Sequence, residues 1–408
     1  MAREPKKILL LILDGVGDRP SKNGKTPLQA AKHPNIDSLA RSGSSGIVDI
    51  ISPGVPPGSD TSHLALLGYD PYQVYTGRGP FEAIGLGMDV RPGDIAFRCN
   101  FATVDRNMII KDRRAGRIDS GTEALARTLN GMEIDGVRFY LKPGVEHRCA
   151  LIMRGTGLSP DVSDVDPHVE GAHVLESQPR SSSARRTAAL LNRFTGRSHE
   201  VLSVHKVNAM RRQKGLLEAN AILARGAGVV PHLPSLRDRT GMRGLCIAGI
   251  PIIKGIGRLA GLDAPSVKGA TGSMDTDLDA KFGAFVKKKA KYDFFLINVK
   301  GTDVCGHDGD FDGKVKFIER VDASLGKVSR SLSDVIFAIT GDHSTPVTVR
   351  DHSGDPLPLC ISGETVRRDG VSRFDEVSCA RGGLGRIRGK DILPILMDLA
   401  DRSEKFGA

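Results

Sequence analysis

Short segments of this 408-residue sequence put carboxylates and imidazoles directly after apolar runs. Asp14 follows Ile8 to Leu13, the stretch Asp303-Val304-Cys305-Gly306-His307 follows a second run, and Gly341-Asp342-His343 follows a third, with His352 close behind. Together they supply three carboxylates and three imidazoles. Carboxylate oxygens and neutral imidazoles suit Mn²⁺, Zn²⁺ or Co²⁺ better than Ca²⁺, and six such ligands are enough for two ions. A single acidic strand end is as readily an ordinary cap. Three of them, joined by histidines, point to a metal centre.

A second feature is Pro56-Pro57-Gly58-Ser59-Asp60-Thr61-Ser62-His63, which leads into the apolar stretch Leu64 to Leu67. Ser59 sits in the approach to a helix, where free amides favour an anion. Alone, Ser59, Asp60 or Thr61 would be read as a helix N-cap. Beside two metal ions, which lower a hydroxyl pKa, Ser59 becomes a nucleophile.

The elements that must position these residues follow from the hydrophobic pattern. Continuous apolar runs such as Ile8 to Leu13 are typical of strands buried on both faces of a parallel sheet. Asp293 to Val299 and Asp334 to Thr340 read the same way, with a helix of roughly Lys314 to Leu332 between them. Functional groups at the carboxyl ends of such strands are where open α/β sheets place their sites. A helix is expected over Asn35 to Ser42. A βαβ-like unit is expected from Cys246 to Gly249, through Ile256 to Leu262, to a strand near Ser266 to Lys268. Residues 91–240 differ: alternating segments such as Ile95 to Val104 and Val137 to Tyr140 predict an antiparallel sheet with helices, inserted into the α/β core.

The chain is 39% hydrophobic and 26% charged, as soluble globular proteins are. Ile8 to Leu13 is too short to cross a bilayer, so no membrane association and a cytoplasmic location are expected. Six cysteines without CxxC spacing predict reduced, buried thiols. The net charge of +10 permits an anionic partner. With no Trp, five Tyr and no basic stretch interleaved with rings, it argues for a small phosphorylated substrate and against nucleic acid. Homo-oligomerisation is compatible with the sequence.

The Asp14-Gly15 loop, the Gly-Ser-Asp-Thr-Ser-His stretch, Asp303-x-x-x-His307, Asp342-His343 and His352 resemble the metal and nucleophile set of the alkaline-phosphatase superfamily. Within it, Gly58 to Asp70, Tyr75-Thr76-Gly77-Arg78-Gly79-Pro80, Phe97-Arg98-Cys99-Asn100-Phe101 and Asp112-Arg113-Arg114-Ala115-Gly116-Arg117 resemble the archaeal cofactor-independent phosphoglycerate mutases. The likeness spans nearly the whole chain. It implies an α/β fold with a three-layer alkaline-phosphatase-like core and a mainly parallel sheet. The core would comprise residues 1–90 and 241–408, and a smaller α+β domain, 91–240, would bind substrate. Asp14, Ser59, Asp342 and His343 would surround one divalent ion (Mn, Co, Zn or Mg) and Asp303, His307 and His352 the other. Ser59 would be phosphorylated, with Ser62 the competing candidate. The implied reaction interconverts 3-phosphoglycerate and 2-phosphoglycerate without bisphosphoglycerate.

Planar guanidinium groups bind carboxylate and phosphate in a bidentate manner, so the arginines of the insertion are the candidate substrate ligands. These are Arg98, Arg113, Arg114, Arg117 and Arg225, with Arg78 and Lys268 reaching the phosphate from another wall. The resemblance also implies that some of His147, Arg148, Asp166 and His168 contact glycerate, and a histidine there could carry a proton near neutral pH. Arg381-Gly382-Gly383-Leu384-Gly385-Arg386 lacks a Rossmann context and reads as a surface turn. A phosphatase, a phosphopentomutase, or a phosphonate or sulfate hydrolase could use the same metal platform, although a sulfatase would need a cysteine where Ser59 stands.

Overall fold

The computed structural model describes residues 5–329, 332–405 and 407. The chain divides into two compact units, Met1–Tyr75 with Leu233–Ala408, and Thr76–His232.

The first unit is built on a seven-stranded sheet in the order Gly385–Arg388, Gly43–Asp49, Leu357–Ser362, Val335–Thr340, Lys7–Leu13, Phe294–Val299, Gly244–Ile247. Leu357–Ser362 runs antiparallel to both neighbours, and every other pair is parallel. In the three central strands every position from Ile8, Phe294 and Val335 onward is buried, as their unbroken apolar runs require. Leu13 lies opposite Val299, and Ile12 opposite Thr340. The chain therefore leaves three adjacent strands at one edge, carrying Asp14, Lys300 to Asp303, and Asp342 with His343. Gly15 makes this convergence possible. It has φ +69, and a Cβ there would lie 2.7 Å from the Asp303 backbone, so a larger residue would force the loops apart.

The second unit is an antiparallel sheet in the order Ile110–Asp112, Ile95–Val104, Arg148–Arg154, Val137–Pro143, Met132–Ile134, with Ala221–Gly228 also paired to Ile95–Val104. Phe97, Cys99 and Phe101 alternate into a core shared with Leu125, Leu129, Leu191 and Phe194 of the helices Thr122–Leu129 and Arg185–Ser203. The Phe139 and Phe194 rings stack there at 4.6 Å. The two-residue period of a strand sends Arg98 and Asn100 to the other face.

Several expectations differ from the structure. The second unit begins at Thr76 and ends at His232, not at 91 and 240, because the helix Gly79–Gly85 packs on Ile95–Val104. Contact there is so close that a Cβ on Gly79 would meet the Ala96 carbonyl at 2.0 Å. Ser266 to Lys268 is not a strand: beyond a single bridge between Leu245 and Asp263, the chain turns, with Ala270 N–H donating to the Val267 carbonyl and Asp277 N–H to that of Gly269. The glycine-rich segment from Arg381 is more than a surface turn, since it runs into the edge strand Gly385–Arg388 after Leu384 N–H bonds the Ser45 carbonyl at 2.9 Å. The helix expected over Lys314 to Leu332 spans Phe311–Ser329, and residues 330–331 of that expectation lie outside the described residues. All six cysteines are free and buried. Among the described residues no helix is long and apolar enough to cross a membrane.

Candidate active site and metal centre

Ser59 opens the helix Ser59–Leu66, but it does not cap it: Gly58 holds the N-cap position, and the side-chain bond at that end is from Thr61 N–H to Asp60 Oδ1. The Ser59 hydroxyl is buried and lies 3.2 Å from His343 Nε2. Ser62, by contrast, donates its hydroxyl at 2.8 Å to the Gly58 carbonyl within the helix. Of the two serines, only Ser59 faces the acidic strand ends.

Two groups of metal-ligating atoms gather at that edge, Asp303 with His307 and His352, and Asp14 with Asp303 and His343. Asp303 belongs to both. Asp342 stands beside the second group, with its Oδ1 accepting from the backbone N–H of Gly15 and His343 at 3.0 and 3.1 Å. Its Oδ2 is buried without a hydrogen-bond partner.

The imidazoles are oriented by what their other nitrogen bonds. His307 Nδ1 lies 3.0 Å from the Arg350 carbonyl, and His352 Nδ1 lies 2.8 Å from that of Pro57. A carbonyl only accepts, so both Nδ1 atoms carry a proton and Nε2 is the nitrogen turned toward the carboxylates and left for a ligand. His343 Nδ1 lies 3.0 Å from Thr345 Oγ1, which donates to Asp303 Oδ1 at 2.9 Å. The single hydroxyl proton goes to the carboxylate, so Nδ1–H of His343 donates to Thr345 and its Nε2 is bare.

From these Nε2 atoms, His307 and His352 lie 3.4 and 3.6 Å from Asp303 Oδ1, and His343 lies 3.4 Å from Asp342 Oδ2 and 3.6 Å from Asp14 Oδ1. Such gaps exceed hydrogen-bond lengths, but they match the ~3.4 Å edge of a tetrahedron drawn with ~2.1 Å metal–ligand bonds. Inward-turned Nε2 atoms, anchored Nδ1–H groups and the orphaned Asp342 oxygen make a donor set that fits divalent ions.

Electrostatics point the same way. Burial, followed by the charge of Asp14, pushes the Asp342 carboxyl well above the usual carboxylate range. Burial also raises Asp303, but Lys300, His352 and His343 outweigh it and hold that carboxyl well below its usual value. Burial depresses His343 strongly and brings His63 down to about 4.

Sequence reasoning missed four residues of this cluster. Lys300 Nζ donates to Asp14 Oδ1 at 3.0 Å and Asp303 Oδ2 at 2.6 Å. Asn298 donates to Asp14 Oδ2 at 3.0 Å, and His63 donates from Nδ1 to the Ser59 carbonyl at 2.7 Å. Thr345 is the fourth. Lys300 had a readable signal, because it follows an apolar strand directly, as Asp14 does.

In the second unit, Arg98, Asn100, Arg113, Arg114, Arg117, Glu146, His147, Arg148, His168 and Arg225 line a cavity of about 260 Å³. Asp166 is buried behind it, gripped by Arg113 at 2.9 and 2.6 Å. Arg78 and Arg98 share Glu82, at 3.6 and 3.4 Å. Arg78 thus packs with the arginines of this unit. Among the described residues no carboxylate pairs with Arg114, Arg117 or Arg148. Polar atoms of Arg78, Arg98, Asn100, His147 and Arg225 are buried without a hydrogen bond, the arginine Nε atoms having only carboxylates at 3.4–3.6 Å, an arrangement that suits an anion.

Burial, then the charges of Arg78 and Arg225, lower Arg98 to about 9. Burial, followed by Arg148, Arg114 and Arg98, lowers His147 to about 4. His147 is therefore neutral at pH 7 and not poised to carry a proton there, contrary to the expectation for a histidine in this region. Arg148, which the resemblance had indicated, and Asn100, inside a resembling segment, line the cavity too, while Glu146 had no sequence signal beyond adjacency to His147. Lys268 is exposed in a turn of the first unit.

A family model described as 2,3-bisphosphoglycerate-independent phosphoglycerate mutase matches residues 40–208. A protein of that name from Methanothermobacter thermautotrophicus is 53% identical over 98% of this chain and 100% of its own length. Another, from Methanocaldococcus jannaschii, is 49% identical over 98% and 99%. Among solved structures, a Pyrococcus horikoshii protein is similar with a TM-score of 0.86 and 39% identity, covering 100% of both chains. The cofactor-independent phosphoglycerate mutase from Thermoplasma acidophilum has a TM-score of 0.72 and 41% identity, covering 97% of this chain and 100% of that one. With relatives this similar over nearly its whole length, the chain belongs to the archaeal-type 2,3-bisphosphoglycerate-independent phosphoglycerate mutases.

Proposed function

We propose that this chain interconverts 3-phosphoglycerate and 2-phosphoglycerate through a phosphoserine on Ser59, without bisphosphoglycerate. The observation that carries the reading is a buried Ser59 hydroxyl, free of any capping role, 3.2 Å from the bare Nε2 of His343 at a doubly metal-ligating edge. Two divalent ions, of Mn, Co, Zn or Mg, held by Asp14, Asp342 and His343 with Ser59, and by Asp303, His307 and His352, would lower the hydroxyl pKa of Ser59 and neutralise charge on the transferring phosphoryl group.

Ser59 Oγ forms a bond to phosphorus as the ester oxygen leaves with glycerate. The phosphoryl group then returns to the other glycerate hydroxyl, and Ser59 is restored. The N-terminus of Ser59–Leu66 favours the dianion held there. The arginine cavity binds the carboxylate, and the unpartnered Asn100 Oδ1 and neutral His147 Nδ1 give a hydroxyl something to bond. Arg78 and Lys268 are further phosphate ligands in this reading, and the protein acts in the cytoplasm.

The test is to incubate metal-loaded protein with 3-phosphoglycerate, free of bisphosphoglycerate, and follow 2-phosphoglycerate. Turnover that chelation abolishes and metal restores is expected. No turnover with any of Mn²⁺, Co²⁺, Zn²⁺ and Mg²⁺, or full activity in metal-free protein, would overturn the reading.

A further inference from the structure

Lys300 occupies an unusual place for a cation. Its ammonium donates both to Asp14 Oδ1 at 3.0 Å and to Asp303 Oδ2 at 2.6 Å, and so joins the carboxylates that the reading above gives to different ions. Its side chain is only 19% exposed, and the two carboxylates are 0% and 3% exposed. No other lysine or arginine pairs with Asp14, Asp303 or Asp342 among the described residues. As ligands the three imidazoles are neutral, so Lys300 is the one cation in direct contact with the carboxylates, while Lys281 and Lys314 act on Asp14 and Asp303 from farther off.

An ordinary metal centre has no use for such a group, because an ammonium that holds two ligand oxygens competes with the ions for them and repels whatever binds. Where a phosphoryl group must be held, the balance changes: the protein gains a fixed positive charge that does not dissociate with the metals. The compact ammonium also suits this place better than a guanidinium, whose planar fork needs more room.

We propose that Lys300 is the resident cation of the two-metal centre, holding the two ligand groups together, weakening metal affinity, and adding positive charge where phosphoryl transfer takes place. This rests on the two-metal reading of the same site. It makes a prediction of opposite signs that a structural residue would not: loss of the charge tightens metal binding while it slows turnover.

The experiment compares wild type with Lys300→Met and Lys300→Arg. Metal affinity is read by competition with a chromophoric chelator, the unfolding midpoint is measured on metal-free protein, and kcat and KM are measured at saturating metal. Lys300→Met should bind Mn²⁺ at least about tenfold more tightly, unfold at lower denaturant when metal-free, and lose kcat with little change in KM. Lys300→Arg keeps the charge, though in a wider head that fits less well, and should not show the tighter metal binding of Lys300→Met. If Lys300→Met fails to fold, Lys300→Gln carries the same titration. Metal binding in the neutral variants that equals wild type or is weaker overturns the proposal while leaving the two-metal reading intact. A wild-type protein that binds no divalent ion overturns both.

Discussion

Thr345→Val is the sharpest test of how the histidines are oriented. Thr345 is fully buried, and its hydroxyl links His343 Nδ1 at 3.0 Å to Asp303 Oδ1 at 2.9 Å. Its backbone bonds, donated from its N–H to the Gly17 carbonyl and accepted by its own carbonyl from Lys314 Nζ, survive the substitution. So does the methyl that packs near Gly306. Valine thus removes one oxygen and strands an imidazole N–H and a carboxylate oxygen in a buried site, a loss of about 1–3 kcal/mol for each group left unsatisfied. The fold should survive, because the shape is kept. The imidazole loses its fixed tautomer, however, and partners of this kind are worth about 10–100-fold in metal affinity, or about 1.4–2.7 kcal/mol. Competition against a chromophoric chelator measures that affinity, and urea unfolding of metal-free protein measures stability. Thr345→Ser retains the hydroxyl and should fall between valine and wild type. If Thr345→Val binds metal within twofold of wild type, the hydroxyl does not orient His343, and the tautomer argued for it is wrong.

Ser59→Ala should keep the fold and abolish phosphoryl transfer, and mass spectrometry of a quenched wild-type reaction should find phosphate on Ser59; phosphate on Ser62 would refute the assignment. His147 should make the protein acid-sensitive. Its folded pKa of about 4 lies below the usual 6.5, so the unfolded chain takes up a proton that the fold refuses, and stability falls as pH drops from about 6.5 to about 4. His147→Gln should flatten that part of the urea-midpoint profile, and an unchanged slope between pH 7 and pH 5 would count against it. Arg225→Gln, at an arginine whose buried Nε makes no hydrogen bond and lies 3.6 Å from Asp166 Oδ2, should let glycerate escape and raise the ratio of free phosphate to 2-phosphoglycerate. A wild-type ratio in an active variant would place glycerate retention elsewhere.

The parts of the site legible in the sequence are those where local pattern and chemistry coincide. Asp14, Asp303 and Asp342 end apolar runs that can only be strands covered on both faces, and a parallel sheet brings the ends of such strands to one edge. The ligand residues could be picked out because carboxylate and imidazole are few and distinctive. Thr345, Asn298 and His63 could not. Each has a partner distant in sequence, Thr345 in Asp303, Asn298 in Asp14 and His63 in Asn298 at 3.3 Å, and threonine, asparagine and histidine after or within apolar segments look like ordinary polar fill. Ser266 to Lys268 was misread for the related reason that so short a segment, with Val267 its one β-branched residue, carries no record of whether a neighbour is there to pair with it. His147 shows the limit for electrostatics. Its type suggests a proton carrier, but burial and surrounding arginines decide its charge, and only the fold brings them together.

Backbone conformation adds an argument that side chains alone do not make. Among the described residues, nine that are not glycine have positive φ, a region that costs an L-residue of order 1–3 kcal/mol and persists only where the surroundings impose it. Arg117, Glu146 and His168 line the arginine cavity, Ala115 lies in the loop between Arg113 and Arg117, and Arg350 presents its carbonyl to His307 Nδ1. Five of the nine therefore sit at the two sites, although these segments are a small part of the chain. Relaxed backbone would turn these side chains and that carbonyl elsewhere, and a fold under selection for stability alone would have placed glycine or asparagine at such positions. At Arg117, Glu146 and His168 a side chain that lines the cavity therefore stands on backbone that glycine would adopt more cheaply. That is the expected mark of groups positioned for a ligand.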